Sequence, residues 1–177
     1  MGMAVALNPK RDALELLEAE HRTIHRLLER YEQLDVCDEA RVEAAEDIGR
    51  ELTYHTILES EIVLPTIESV ADSADARTAL EVARLEIEMA NALIERSEAL
   101  LGDAVRLDAL FRVLIPLVRR HLSAEQAHLF PVLGHAPFNS RRMAAQISEH
   151  RAALERAVDT SDDFDTDDIG ASPTDCD

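Results

Sequence analysis

The 177-residue chain has no tryptophan, and aromatic residues make up only 3% of it. Glycines number five. Strands favour aromatic and β-branched residues, and tight hairpins use glycine, so this scarcity argues against a sheet. Basic residues are also few, with 18 Lys and Arg against 36 Asp and Glu, for a formal charge of −18. Phosphate backbones would repel such a chain, which excludes nucleic acid as a partner. The two cysteines, Cys37 and Cys176, are too few for a disulfide framework and fit a reducing compartment. The opening MGMAVALNPKRD has no basic segment followed by a long apolar one, so no secretory signal is read there. No apolar run approaches membrane-spanning length. The expectation is a cytoplasmic protein with no membrane partner.

What the chain does have is 46% hydrophobic residues and abundant Ala, Leu, Glu and Arg. These side chains lose little freedom on a helix. In the first segment Leu14, Leu17, His21, Ile24, Leu28 and Tyr31 recur at steps of three and four, which predicts one buried face of a helix over about 9–34. A turn at 35–39 leads to a second helix over about 40–70, with Ile48, Leu52, His55, Glu59 and Ile62 inward. A third is expected over about 76–101, ended by Gly102-Asp103. A fourth is expected over about 104–133, kinked where Pro116 removes a backbone hydrogen bond. After a loop at 134–138, Asn139 or Ser140 could cap a short fifth helix ending near Val158. The last twenty residues hold eight aspartates and no Lys or Arg, so 159–177 is expected to be a disordered acidic tail. The expected fold is all-α: an up-down-up-down four-helix bundle over 1–158, its short fifth helix included.

The halves resemble each other. A shift of 66 residues carries Leu14 to Leu80, Glu20 to Glu86, His55 to His121, Glu59 to Glu125 and Pro65 to Pro131. That pattern suggests a duplicated helix pair. Its strongest match joins YHTILESEIVLP (54–65) to RHLSAEQAHLFP (120–131). In each, a Glu follows a His by four residues, which places imidazole and carboxylate on one helix face. Such a pair can bind one metal, or its carboxylate can bridge to a second, as in bundle di-iron sites. Imidazole with carboxylate suits iron. A lone HxxxE is common on solvated faces, but two at the same repeat phase, each ahead of the same proline, favour a metal site.

With His21 in EHRTIH (20–25), these motifs resemble the hemerythrin-like HHE family over about 11–133. The resemblance implies a non-haem di-iron centre, with His21 as the first-helix ligand and His55, Glu59, His121 and Glu125 as the paired ligands. It implies two iron ions and a small oxidant as partner: dioxygen, hydrogen peroxide or nitric oxide. Catalase- or peroxidase-like turnover, sensing without turnover, and a bundle with a degenerate site are the alternatives. A homodimer is compatible with any of them.

The third helix departs from the family pattern, because no His occurs between Ala76 and Leu101. The 66-residue shift sets Ile87 opposite His21, whereas a one-residue slip sets Glu86 there, on a face with Val82, Met89 and Leu93. A Glu on that face is costly to bury unless it is paired or bound to metal. Glu86 is therefore favoured as the replacement ligand over Glu88, the plain alternative being that both are solvated. A carboxylate ligand would add negative charge and favour the ferric state, which points to peroxide or redox-stress chemistry over oxygen transport. His25 could be a ligand, a supporting group or exposed; Tyr54 should pack; His128 should be a core or rim residue; His135 and His150 should lie outside the core.

The tail composition generates one expectation. Ending the chain after Val158 should leave iron content and melting temperature nearly unchanged. A large drop in either, by elemental analysis or thermal melting, would show that the tail docks on the bundle.

Overall fold

The computed structural model describes residues 13–36, 38–135 and 139–162, with side chains described up to 157. Cys37, Cys176, the segment before Ala13 and the acidic stretch from 163 lie outside the described residues. All described elements are helical. They are α1 (Ala13–Gln33), α2 (Glu39–Leu58), α3 (Leu64–Val70), α4 (Ala74–Glu98), α5 (Ala104–Ala124), α6 (Phe130–His135) and α7 (Ser140–Asp162). No helix among the described residues is long and apolar enough to cross a membrane.

Short polar side chains start these helices by accepting the free backbone N–H groups of the first turn. Asp38 accepts from the Ala40 amide at 2.9 Å, Ser73 from Ala76 at 3.0 Å, Asp103 from Arg106 at 3.0 Å and Asn139 from Arg142 at 3.0 Å. Asn139 is thus the cap of α7. Ser140 instead accepts from the Ala13 amide at 3.1 Å and ties the start of α7 to the start of α1. The fifth helix is longer than expected, 23 residues, and runs four residues past Val158 to Asp162. Pro116 lies inside α5 without ending it.

The expected second and fourth helices are each interrupted. Five-residue π-helical turns, Glu59–Val63 and Glu125–Leu129, join α2 to α3 and α5 to α6. Both begin at the glutamate of an HxxxE motif and end two residues before a proline. A proline ring clashes with the carbonyl four residues back and cannot donate to it. Widening the preceding turn relieves that clash, and such wide turns recur at functional sites.

Helix α1 packs on α2, α2 on α4, α4 on α5 and α5 on α1, which closes a ring of four. Helix α7 lies outside it against α1, α2 and the first wide turn. The apolar interior divides into two clusters. One includes Ile24, Leu28, Tyr31, Leu52, Phe111 and Val118. The other includes Leu17, Leu58, Leu80, Ile87, Leu129 and Ile147. Along α1, His21 falls between Leu17 of the second cluster and Ile24 of the first. Along α2, His55 falls likewise between Leu52 and Leu58. A polar layer is therefore clamped between two apolar plugs.

The buried stripe of α4 is Leu80, Ala83, Ile87, Ala90 and Ile94. The expected face of Val82, Met89 and Leu93 is not the inner one, since Val82 and Met89 are exposed and Leu93 is half-buried. Large apolar residues outside the stripe and alanines within it hid its phase.

In the first cluster Tyr31 stacks on Phe111 with ring centroids 4.2 Å apart, under the guanidinium of Arg41. Phe111→Ala should cost roughly 3–5 kcal/mol through transfer and cavity terms. Val113→Ala, on the exposed face of the same helix, should stay within about 0.5 kcal/mol. Denaturant unfolding of the two variants checks this.

Candidate metal centre

The polar layer brings together all six residues singled out from the sequence: His21, His55, Glu59, Glu86, His121 and Glu125. Each is at least nine-tenths buried. His55 Nε2 lies 3.3 Å from Glu59 Oε1 and 3.9 Å from Glu125 Oε2. His21 Nε2 lies 3.3 Å from Glu125 Oε2. His121 Nε2 lies 3.0 Å from Glu59 Oε2 and 3.8 Å from Glu125 Oε2. The two carboxylates thus stand between His21 and His55 on one side and His121 on the other.

Each imidazole also has a partner on its other nitrogen. His21 Nδ1 meets the Gln126 amide nitrogen at 3.3 Å, His55 Nδ1 meets Glu20 Oε2 at 3.4 Å, and His121 Nδ1 meets Glu86 Oε2 at 3.1 Å. The carboxylates of Glu20 and Glu86 accept, so they hold the proton on Nδ1 of His55 and His121 and leave each Nε2 lone pair facing the layer, while the Gln126 amide fixes the orientation of the His21 ring. Glu86 therefore reaches the layer behind His121, and its second oxygen accepts from Arg120 Nε at 2.8 Å. Glu88 is exposed. His25 is half-buried and outside the layer, His128 is exposed, and Tyr54 packs beneath Arg151. His135 is exposed, and half-buried His150 pairs with Glu61 at 3.1 Å.

The roles of Glu20, Gln126, Arg120 and Arg151 were missed in the sequence. For Glu20 the repeat held a signal, because it aligns with Glu86. Arg151 lies on a helix outside the repeat, so no spacing rule reaches it.

Burial shapes the charges of the layer. It pushes the Glu59 carboxyl up to about 7 and the Glu125 carboxyl, with Glu59 close by, up to about 8. Glu20 is also raised to about 7 by burial, against the pull of Arg151. Burial and then His121 lower His55 to about 3, and burial lowers His21 against the attraction of Glu125. Charges in this layer are expensive without a counter-ion inside it.

The donors fit a metal. His21 Nε2, His55 Nε2 and both oxygens of Glu125 are buried with no hydrogen-bond partner. His21, His55, Glu59 and Glu125 each offer one ligand atom, all within 4.8 Å of one another. Ligands on opposite sides of a first-row ion, at roughly 2.1 Å each, would be about 4.2 Å apart. Nitrogen and oxygen donors without thiolate suit iron, manganese or zinc.

Compared with known families, the chain matches the hemerythrin HHE cation binding domain over residues 12–133. It belongs to that family. No curated protein and no solved structure matches it.

The direction of these shifts gives a pH test. Glu59 and Glu125 titrate near 7 and 8 when folded, against an ordinary 4.5. Their contribution to stability is present below 4.5 and lost as pH rises through those folded values. The lowered histidines contribute fully above their ordinary 6.5 and lose that contribution as pH falls. Metal-free protein should therefore melt lower at about pH 8.5 than at about pH 6.5. Metal, which holds the carboxylates ionised, should abolish that fall. Equal pH slopes with and without metal would refute the assignment.

Proposed function

We propose that this hemerythrin HHE chain is a non-haem di-iron protein. Its four long helical segments run up-down-up-down, and it reacts with a small oxidant in oxidative-stress or iron and redox handling. The observation that carries the proposal is the buried layer in which His21, His55, Glu59 and Glu125 converge within one ion's reach while His121 Nε2 meets Glu59 and Glu125 from the other side. His21 and His55 would hold one iron and His121 the other, with Glu59 and Glu125 shared between them. When bound, the irons would supply one- and two-electron exchange with dioxygen, hydrogen peroxide or nitric oxide.

The chain's own residues set the conditions for that exchange. The two apolar clusters flank the layer and lower the polarity around it, which strengthens the charge interactions in it. Glu59 and Glu125, with folded values near 7 and 8, release their protons when a cation takes their place. Gln126, Glu20 and Glu86 hold the rings so that each Nε2 faces inward. We place the protein in the cytoplasm, where iron and reducing equivalents meet.

A second reading is iron or oxygen sensing without turnover. It draws on the position of the layer between two apolar clusters that are otherwise separate. Loss of metal there would loosen both halves, which couples occupancy to shape.

After iron-replete expression, elemental analysis should find about two irons per wild-type chain, and His121→Ala should lose about one. The ferric protein should absorb in the near ultraviolet. Wild type and variant equally free of metal would refute the proposal.

A further inference from the structure

The two halves match beyond the HxxxE motifs. Glu20 and Glu86 are 66 residues apart, and so are His55 and His121. In the first half Glu20 Oε2 faces His55 Nδ1 at 3.4 Å, and in the second Glu86 Oε2 faces His121 Nδ1 at 3.1 Å. The other oxygen of each carboxylate meets a guanidinium. Arg151 Nη1 lies 3.6 Å from Glu20 Oε1, and Arg120 Nε lies 2.8 Å from Glu86 Oε1.

The two arginines do not match in the repeat. The counterpart of Arg120 is Tyr54, which carries no cation. Arg151 reaches in from α7 and lies over that tyrosine ring, 5.0 Å from its centroid. An Arg–Glu–His chain is therefore built twice, the second time with a residue from outside the duplication. In this register the counterpart of His21 is Ile87, which is buried in the second apolar cluster. The side of His121 thus has one imidazole where the other side has two.

The coverings differ in the same sense. Helix α7 lies over α1 and α2 and adds Met143, Ala144 and Ile147 to the second apolar cluster. On the α4–α5 side, a groove of about 770 Å³ is lined by Val82, Leu85, Glu86, Met89, His121 and Glu125, among others. Val82, Leu85 and Met89 are 44, 59 and 53% exposed there. Glu125, itself 1% exposed, presents unpartnered oxygens to the layer.

We propose that Glu86 is a positioning residue for His121 rather than a metal ligand. The metal position at His121 is then one protein ligand short, where Ile87 stands, and a small anionic or dipolar molecule reaches it through the α4–α5 groove. This rests on the two-iron reading. An ionised Glu86 can only accept, so it draws the His121 proton to Nδ1 and turns the Nε2 lone pair toward Glu59 and Glu125. To bind metal itself, Glu86 would have to turn an oxygen away from Arg120 or from His121.

The first arm needs no iron. In metal-free wild type, ring nitrogen NMR should place the His121 proton on Nδ1, and Glu86→Ala should shift it toward Nε2. An unchanged tautomer would overturn the positioning role. The second arm uses the iron-loaded protein. Glu86→Gln should keep about two irons yet bind one of them about 10–100-fold more weakly in chelator competition. Outright loss of one iron in Glu86→Gln would make Glu86 a ligand and overturn the proposal. In the third arm azide is titrated into the ferric protein and followed by visible absorbance. Wild type should bind it, and Ile87→His, which restores the missing imidazole, should weaken binding at least about tenfold. Unaltered azide binding in an iron-loaded Ile87→His protein would overturn the open position. Iron-free wild type would instead refute the two-iron reading, while the tautomer arm would still decide the role of Glu86.

Discussion

The constraint on which the rest of the structure depends is the near-complete burial of ionisable groups within the bundle. Carboxylates and imidazoles occupy one layer of the bundle, and the carboxylates of Glu59 and Glu125 are only 1% exposed. Left alone, buried charges cost several kcal/mol each. The layer meets this cost in three ways: Glu59 and Glu125 favour their protonated forms, His21 and His55 favour their neutral forms, and the remaining donors converge on a space one cation can fill. The apolar clusters on either side lower the polarity around the layer, which is the reason a cation would be held strongly.

The matching halves give the layer its pseudo-symmetry, and other features of the chain break it. Both halves carry an HxxxE motif, a wide helical turn beginning at its glutamate, and a proline that makes the wide turn favourable. Both carry a carboxylate behind the motif histidine. The halves diverge at His21 against Ile87 and at Tyr54 against Arg120. Helix α7 packs against α1, α2 and the first wide turn and lends that half Arg151. A site with two similar ligand frames thus acquires one sheltered side and one side facing a groove.

Much of this was legible in the sequence. The helical class followed from composition, the positions of the main turns from caps and apolar spacing, His55, Glu59, His121 and Glu125 from the HxxxE motifs, His21 from the family resemblance, and Glu86 from a one-residue slip of the repeat. The phase of α4 was not legible, since Ala83 and Ala90 give a weaker apolar signal than the exposed Val82 and Met89. A rotation of one residue, about 100°, was enough to set Glu86 in the place of Ile87. The wide turns were also missed, although Pro65 and Pro131 marked where each helix had to relax.

By itself the sequence determined that this protein is helical, that its two halves match at a 66-residue offset, and which histidines and glutamates can share a helix face. Those are local properties, set by spacing along one chain segment and by side-chain propensity. Only the tertiary structure decided which nitrogen of each imidazole faces the layer, that Glu86 stands behind His121, and that Arg151 from α7 completes the first half. These depend on distances between segments as far apart as residues 20 and 151, which spacing along the chain does not encode. They are settled only when the helices pack and each buried polar atom must find a partner or be left facing the others.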